Sequence, residues 1–503
     1  MNILYDSTRG GEKNITASQA ILKGLASDGG LFVPQLFPKL ESSLTELASM
    51  DYRQTAFAVM RLFLTDFTDE ELQDCIDHAY DEKFDDPAIC PLRQADGSWY
   101  LELFHGRTIA FKDMALSILP YLMTVSAKKN NITNEIVILT ATSGDTGKAA
   151  LAGFADVPGT SIIVFYPKDG VSPVQEKQMV TQKGDNTHVA AIHGNFDDAQ
   201  TGVKKIFSHT ELREELMQKG FQFSSANSIN IGRLIPQVAY YVYAYTRLLA
   251  NGTIREGEAV NFTVPTGNFG NILAAYYAGQ IGIPIHKLIC ASNSNKVLFD
   301  FFRTGTYDRN RPFYVTTSPS MDILVSSNLE RLIYQITGKD PAATGTLMQA
   351  LQEGGIYEIT GPMQEQLSMF YGNYATEEEV METIRRLYES DDYVIDPHTA
   401  VGAAVYGKYK EQTGDATPTI LASTASPYKF GRSVLHAVDA AKYDPLNDTE
   451  QFYALHELSG TAIPDAIEEL MQAEVRHHTV VNPDEMEQDV RDWLYSSHPS
   501  KNL

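Results

Sequence analysis

Asn261-Phe-Thr-Val-Pro-Thr-Gly-Asn-Phe-Gly-Asn-Ile-Leu-Ala-Ala-Tyr-Tyr277 reads as a β-strand, a glycine-containing turn and the start of an apolar helix. The strand is Asn261–Val264, the helical run is Ile272–Tyr277, and the turn holds Gly267 and Gly270. Glycine lets a backbone approach an anion closely, and a helix N-terminus offers unpaired N–H groups at the positive end of a dipole. The turn is therefore a candidate phosphate cup over Gly267, Asn268, Phe269, Gly270 and Asn271. It lacks the GxGxxG dinucleotide fingerprint, and standing alone it serves equally as an ordinary strand-to-helix connection.

The same unit recurs outward from this stretch. β-Rich runs lie at Ile136–Leu139, Ser161–Tyr166, Val189–Ile192, Leu288–Ala291 and Thr419–Ala422, and helical stretches such as Thr146–Phe154 and Asp197–Phe207 follow. Strand-turn-helix units in series predict an α/β fold with mainly parallel sheets covered by helices, and ligands beyond the carboxyl ends of the strands. The first ninety or so residues read as a separate helical unit, with Ser18–Ala26 and Tyr52–Leu64 at helical spacing and a helix start at Thr68. The acidic Asp81–Asp86, followed by Pro87 and Pro91, marks a boundary. The expected division is 1–88, 89–440 and an acidic helical extension over 441–503. In that extension Pro464 opens a helix carrying Ile467, Leu470, Met471 and Val475. Gly305–Ser327, polar and without period, reads as an irregular surface insertion.

A chain of 503 residues is long enough for two or three domains. Its net charge of −24 argues against nucleic-acid binding, while leaving room for a local basic pocket. Cys75, Cys90 and Cys290 lie far apart, without a CxxC pair, and fit a reduced compartment. No HExxH or comparable metal spacing occurs, so no metal site is expected. The opening Met1-Asn-Ile-Leu-Tyr-Asp-Ser lacks a secretory pattern, and no apolar run approaches the ~20 residues that span a bilayer. A cytoplasmic protein without membrane partners is expected.

Two further turns and one lysine carry chemistry. Leu139-Thr-Ala-Thr-Ser-Gly-Asp-Thr-Gly147 follows a strand and opens a helix, and its hydroxyls and N–H groups can hold a carboxylate. It fails as a nucleotide P-loop, since Thr142 and Ala149 stand where Gly and Ser or Thr are needed. Thr419-Ile-Leu-Ala-Ser-Thr-Ala-Ser-Pro427 ends a strand in hydroxyls, which by itself is more often a helix cap. Lys112, in Phe104-His-Gly-Arg-Thr-Ile-Ala-Phe-Lys-Asp-Met-Ala-Leu116, has apolar neighbours. A lone lysine is usually a solvated charge, but in an apolar site beside an anion loop desolvation frees the amine to form an imine. The residues alone leave both readings open.

Taken in order, Phe-His-Gly-x-Thr-x-Ala-Phe-Lys-Asp, Thr-Ser-Gly-Asp-Thr-Gly, Pro-Thr-Gly-Asn-Phe-Gly-Asn and Ser-Thr-Ala-x-Pro resemble the threonine synthase family. Softer matches are Ser172-Pro-Val-Gln-Glu-Lys-Gln, Asp396-Pro-His-Thr-Ala-Val-Gly402 and Gly29-Gly-Leu-Phe-Val-Pro34. The resemblance implies the tryptophan-synthase-like fold type II of pyridoxal-phosphate enzymes, with a smaller subdomain at roughly 125–225 inserted in the large one. It also implies conversion of O-phospho-L-homoserine and water to L-threonine and phosphate, by γ-elimination and β-addition of water, in a monomer or homodimer. Carried over by residue, Lys112 matches the Schiff-base lysine, and Gly267, Asn268, Phe269, Gly270 and Asn271 match the loop for the cofactor phosphate. Thr424 matches the hydroxyl facing the pyridine nitrogen. Ser143, Gly144, Asp145 and Thr146 match the loop that grips the substrate carboxylate, and Asn227 and Asn230 a polar stretch near the substrate. Arg107 departs from the proline of many relatives, and reads equally as a phosphate ligand or a surface substitution. The rival within the fold is a serine or threonine dehydratase or a cysteine synthase. A catalytically silent relative would have lost the lysine or broken the loop, and both are intact.

Overall fold

Val260–Pro265 forms an inner strand of a six-stranded sheet, and every one of its residues is buried, as a strand covered on both faces must be. The computed structural model describes residues 2–142, 144–171 and 173–497. The sheet runs in the order Phe370–Tyr374, Ile285–Ser292, Val260–Pro265, Thr419–Ser423, Ser98–Glu102, Leu92–Ala95. All pairings are parallel except the last, a hairpin whose turn at Asp96-Gly97 takes both residues to positive φ. Ile231–Ala250 is buried along nearly all its length, its polar Arg233 and Gln237 included.

A second, wholly parallel sheet has the order Thr479–Val481, Thr187–Ile192, Thr160–Pro167, Glu135–Ala141, Phe221–Ser224. Its side chains alternate between two apolar clusters. Ile136, Ile138, Ile162 and Val164 join the main core, whereas Val137, Leu139, Ile163 and Phe165 face the helices of the other side.

The edge strand Thr479–Val481 comes from the acidic tail, where the sequence predicts only helix. It pairs with Ala190–Ile192, and the helix Met486–Ser497 then buries Met486, Val490 and Leu494. Met486 lies over Gly202, where a Cβ would meet its sulfur at 2.3 Å. The tail's acids have specific partners, Asp489 on His188 and Glu487 on His209, both at 2.8 Å. The preceding helix is Asp465–Gln472 with Pro464 just outside it, and Val475 lies beyond it, exposed.

The N-terminal residues pair Tyr5–Ser7 with Phe32–Pro34 and build helices Ala17–Lys23, Tyr52–Phe63 and Asp69–Ala79, each opened by a capping box. Their core is continuous with that of the two sheets. The buried Arg331 joins them, donating to Phe32 O (2.9 Å) and to Ile229 O (2.6 Å). No helix among the described residues is long and apolar enough to cross a membrane.

Candidate active site

The chain from Phe104 to Phe111 runs beside the end of the strand Thr419–Ser423. Phe111 N–H donates to Thr424 O (2.8 Å), Ser426 N–H donates to Ile109 O (3.0 Å), and Ala110 bridges Ala425. Asp113 locks the turn by accepting from Thr108 N–H (2.8 Å) and Thr108 Oγ1–H (2.5 Å). Gly106 leaves room for it, since a Cβ there would lie 2.6 Å from Asp113. These contacts set Lys112, buried, at the start of the short helix Asp113–Leu116.

The Lys112 ammonium donates to Ser320 Oγ (3.2 Å) and lies 4.0 Å from Asp145 Oδ2. Burial pushes its pKa down to about 8, against the pull of Asp145 and with help from the nearby Lys429 and Arg233 cations. Asp145 opens the helix Asp145–Phe154 of the second sheet. The turn before it is stapled by Thr142 Oγ1, which accepts from Gly144 N–H and Gly147 N–H, both at 3.0 Å. Gly144 sits at φ 136°, where other residues are strained. Asp145 also accepts from Gln175 Nε2 (3.0 Å) and from Ser320 Oγ (3.1 Å), and lies 3.3 Å from Lys429 Nζ. Burial alone would raise this carboxyl. Lys429 and then Lys112 outweigh burial and hold it well below the usual carboxylate range.

Ser320 links the two sheets. Besides Lys112 and Asp145 it meets His398, its N–H donating to Nε2 (3.2 Å), and His398 Nδ1–H donates to Asp396 Oδ2 (2.7 Å). Ser320 belongs to Gly305–Ser327, which the sequence predicts as surface insertion. Phe313, Tyr314 and Val315 are exposed, but Thr306–Asp308 is a strand paired with Ile356–Glu358, and Tyr307, Ser318, Met321 and Ser326 are buried. Past that strand the tract is fitted to the site through side-chain hydrogen bonds from Asn293 and Asn295.

At the cup, Phe269 takes the left-handed conformation, φ 66°, and Gly270 starts the helix Gly270–Ile281. Phe269 buries its ring against Phe302 and Phe370, so it can face a ligand only through its main chain. The side chain of Asn268 is exposed. Gly267 is needed for a close approach, since a Cβ there would lie 2.6 Å from Ser320 O. Gly270 is not crowded by protein, its nearest contact being Asn328 Nδ2 at 3.4 Å. Asn271 accepts from the hydroxyls of Tyr240 (2.6 Å) and Tyr241 (2.5 Å), and its buried amide nitrogen has no partner among the described residues. A glycine cradle, a helix N-terminus with an orphaned donor and a desolvated lysine amine fit pyridoxal phosphate by chemistry.

Thr424 is buried and is held through its main chain, its N–H donating to Thr399 Oγ1 (3.3 Å), so its hydroxyl takes no part in that anchoring. Thr146 is half-buried, and Ser143 lies outside the described residues. Asn227 is exposed, and Asn230 is spent on structure. Asn230 caps the helix Ile231–Ala250 by accepting from Gly232 N–H, and donates to Ile21 O (2.9 Å) and Ser225 O (3.1 Å). The sequence reading missed Ser320, His398 and Lys429. Lys429 was findable, five residues past Thr424 in Ser426-Pro-Tyr-Lys-Phe430, and His398 stands in a quoted motif. Ser320 carries no motif.

Residues 4–80 match a model described as "Threonine synthase N terminus", residues 93–423 "Pyridoxal-phosphate dependent enzyme", and residues 399–492 "Threonine synthase, C-terminal". The threonine synthase of Schizosaccharomyces pombe is 37% identical, over 86% of this chain and 88% of its own. Human threonine synthase-like 1 is 39% identical over 90% of this chain, which spans only 62% of that protein's length. A crystal structure of pyridoxal-phosphate-bound threonine synthase from Brucella melitensis superposes with a TM-score of 0.86 at 35% identity, covering 98% of this chain and 99% of the other. On these matches the chain belongs to the threonine synthase family of pyridoxal-phosphate-dependent enzymes.

Proposed function

We propose that this chain is a threonine synthase, a lyase converting O-phospho-L-homoserine and water to L-threonine and phosphate. The observation that carries the reading is the match on both flanks of the catalytic region to models named for threonine synthase, around a lysine brought down to about 8. The N-terminal unit counts against a dehydratase or cysteine synthase.

Pyridoxal phosphate, when bound, supplies an electron sink for negative charge developing on the substrate carbons. Lys112 anchors it and is the base whose Nζ takes protons from Cα and then Cβ, and its low pKa keeps the amine available near neutrality. Ser320 Oγ, bonded to Nζ and to Asp145 Oδ2, fixes where that amine points and offers it a path for a proton. The main chain at Gly267, Asn268, Phe269 and Gly270, with the Asn271 amide, holds the cofactor phosphate. Thr424 presents a neutral hydroxyl to the ring nitrogen. The hydroxyls of Ser143 and Thr146 serve the substrate carboxylate, whereas the Asp145 side chain serves the lysines.

The test is to supply the holoenzyme with O-phospho-L-homoserine and follow threonine and phosphate together, with L-serine and L-threonine offered separately. Equal yields of threonine and phosphate are expected. Keto acid from serine, or phosphate without threonine, would overturn the reading.

A further inference from the structure

Asp396 is fully buried at the start of the helix Pro397–Thr413, in the motif Asp396-Pro-His-Thr399, and it takes no part in the chemistry above. A helix cap needs a single acceptor, and serine or asparagine supplies it as well as aspartate does. Asp396 accepts far more than that. Its Oδ2 takes His398 N–H (2.9 Å) and His398 Nδ1–H (2.7 Å), and its Oδ1 takes Thr399 N–H (3.0 Å) and the Thr399 hydroxyl. The main-chain donors are the cap. The ring and the hydroxyl are extra, and each leads to a different part of the site.

The ring leads to the lysine. With Nδ1–H spent on Asp396, the lone pair of His398 Nε2 accepts from Ser320 N–H (3.2 Å). Ser320 Oγ in turn receives the Lys112 ammonium (3.2 Å) and donates to Asp145 (3.1 Å). The hydroxyl leads to the end of the strand Thr419–Ser423. Because Thr399 Oγ1–H points at Asp396, its lone pairs accept from Ser423 Oγ–H (3.1 Å) and from Thr424 N–H (3.3 Å). Thr424 O then holds Phe111 N–H (2.8 Å), next to Lys112. We propose that Asp396 is a positioning residue for the reaction, which keeps the Lys112 amine and the Thr424 hydroxyl in register by fixing the His398 tautomer and the Thr399 hydroxyl together. The proposal rests on the roles given above to Lys112 and Thr424. Only a carboxylate can fill this place, because each of its oxygens accepts a main-chain N–H. An asparagine has one acceptor oxygen, so whichever way it turns its NH2 faces a donor. Turned toward His398, it drives the ring proton to Nε2, where it opposes Ser320 N–H. Buried donors set against each other force the turn Pro319–Met321, or Thr424, out of place.

The test uses pairs of variants that leave the cap intact, beside Asp396→Asn. His398→Leu removes the acceptor from Ser320 N–H, and His398→Gln returns one, since Gln Oε1 takes the place of Nε2. Thr399→Val removes the acceptor from Thr424 N–H, and Thr399→Ser returns it. For each variant we would measure apoprotein stability, the rate at which apoprotein and added pyridoxal phosphate form the visible imine band, and kcat and KM for O-phospho-L-homoserine. His398→Leu should slow imine formation and lower kcat roughly tenfold to a hundredfold at nearly constant KM, with most of both recovered in His398→Gln. Thr399→Val should shift the imine band and weaken cofactor affinity, and Thr399→Ser should restore them. Asp396→Asn, an equally good cap, should show at least one of these losses. Imine formation and kcat as fast in Asp396→Asn as in the wild type would overturn the proposal. So would His398→Gln no better than His398→Leu, because the loss would then follow packing. If Asp396→Asn does not fold, the His398 and Thr399 pairs decide. If the wild type forms the imine but no threonine, the threonine synthase reading fails and the imine rates still decide the positioning. An imine on a lysine other than Lys112 overturns both.

Discussion

Alanine at the two glycines of the cup should have opposite consequences, and the protein alone dictates the difference. At Gly267 the added Cβ would lie 2.6 Å from Ser320 O and 3.3 Å from Met321 Cα, both main chain, where ordinary contact begins at 3.4 Å. A flexible side chain cannot swing away here, so the turn Pro319–Met321 must retreat by several tenths of an ångström. Overpacking of this kind costs about 1–3 kcal/mol. The retreat also carries Ser320 Oγ away from Lys112 and Asp145, now 3.2 and 3.1 Å distant. At Gly270 a Cβ meets only Asn328 Nδ2 at 3.4 Å, φ is not positive, and the residue starts a helix. Gly270→Ala should therefore be neutral, or stabilise the apoprotein by roughly 0.4–1 kcal/mol through the unfolded chain. Chemical denaturation of the two apoproteins separates this protein clash from any clash with the cofactor, and a pyridoxal-phosphate titration then measures the cup itself. Equal destabilisation of both apoproteins, or none in Gly267→Ala, would refute the reasoning.

Lys112→Ala should bind cofactor weakly and lose turnover, and in the wild type borohydride should fix the cofactor to the peptide carrying Lys112; a label on any other lysine contradicts the assignment. Thr424→Ser should keep activity, whereas Thr424→Asp should keep cofactor but lose turnover, because a carboxylate draws a proton onto the ring nitrogen; equal activity of the two would end that role, since Asp caps a helix as well as Thr does. His105 is raised from its ordinary 6.5 to about 9, burial opposing the rise and Asp85 and Glu102 outweighing it. That rise is worth on the order of 3 kcal/mol, present in full below pH 6.5 and lost as pH climbs through about 9. Unfolding free energies of wild type and His105→Gln should converge over that window, and parallel profiles would refute the linkage.

The inner strands were legible because their physics is local. Val260–Pro265, Thr160–Pro167 and Thr187–Ile192 are apolar on both faces and end in turns, which a sequence displays directly. Thr479–Val481 was not, for it is three residues long, half exposed, and a strand only because Ala190–Ile192 offers it an edge. Lys112 and the cup were legible through contiguous motifs. Ser320 was invisible because its function comes from where Asn293, Asn295 and His398 hold it, and none of these is near it in sequence.

The electrostatics of the site also run against the composition. The chain carries a net charge of −24, yet its cleft buries Lys112, Lys429 and Arg233 near one another. Surface acids far from the cleft are screened beyond about 10 Å, whereas buried charges a few ångströms apart are not. The local count therefore decides what the cleft attracts. Among the described residues Asp145 is the only carboxylate in ion-pair reach of Lys112 or Lys429, and it is shared between them. A fold selected for stability alone would have paired those lysines separately or exposed them. Keeping them buried with one carboxylate leaves a positive remainder that only an anionic ligand can complete. The strands from both sheets deliver that remainder to one place, since Asp145 follows Glu135–Ala141 and Lys429 follows Thr419–Ser423. A change in how the two sheets sit would then alter the Asp145 bridge first, and with it the pKa of Lys112.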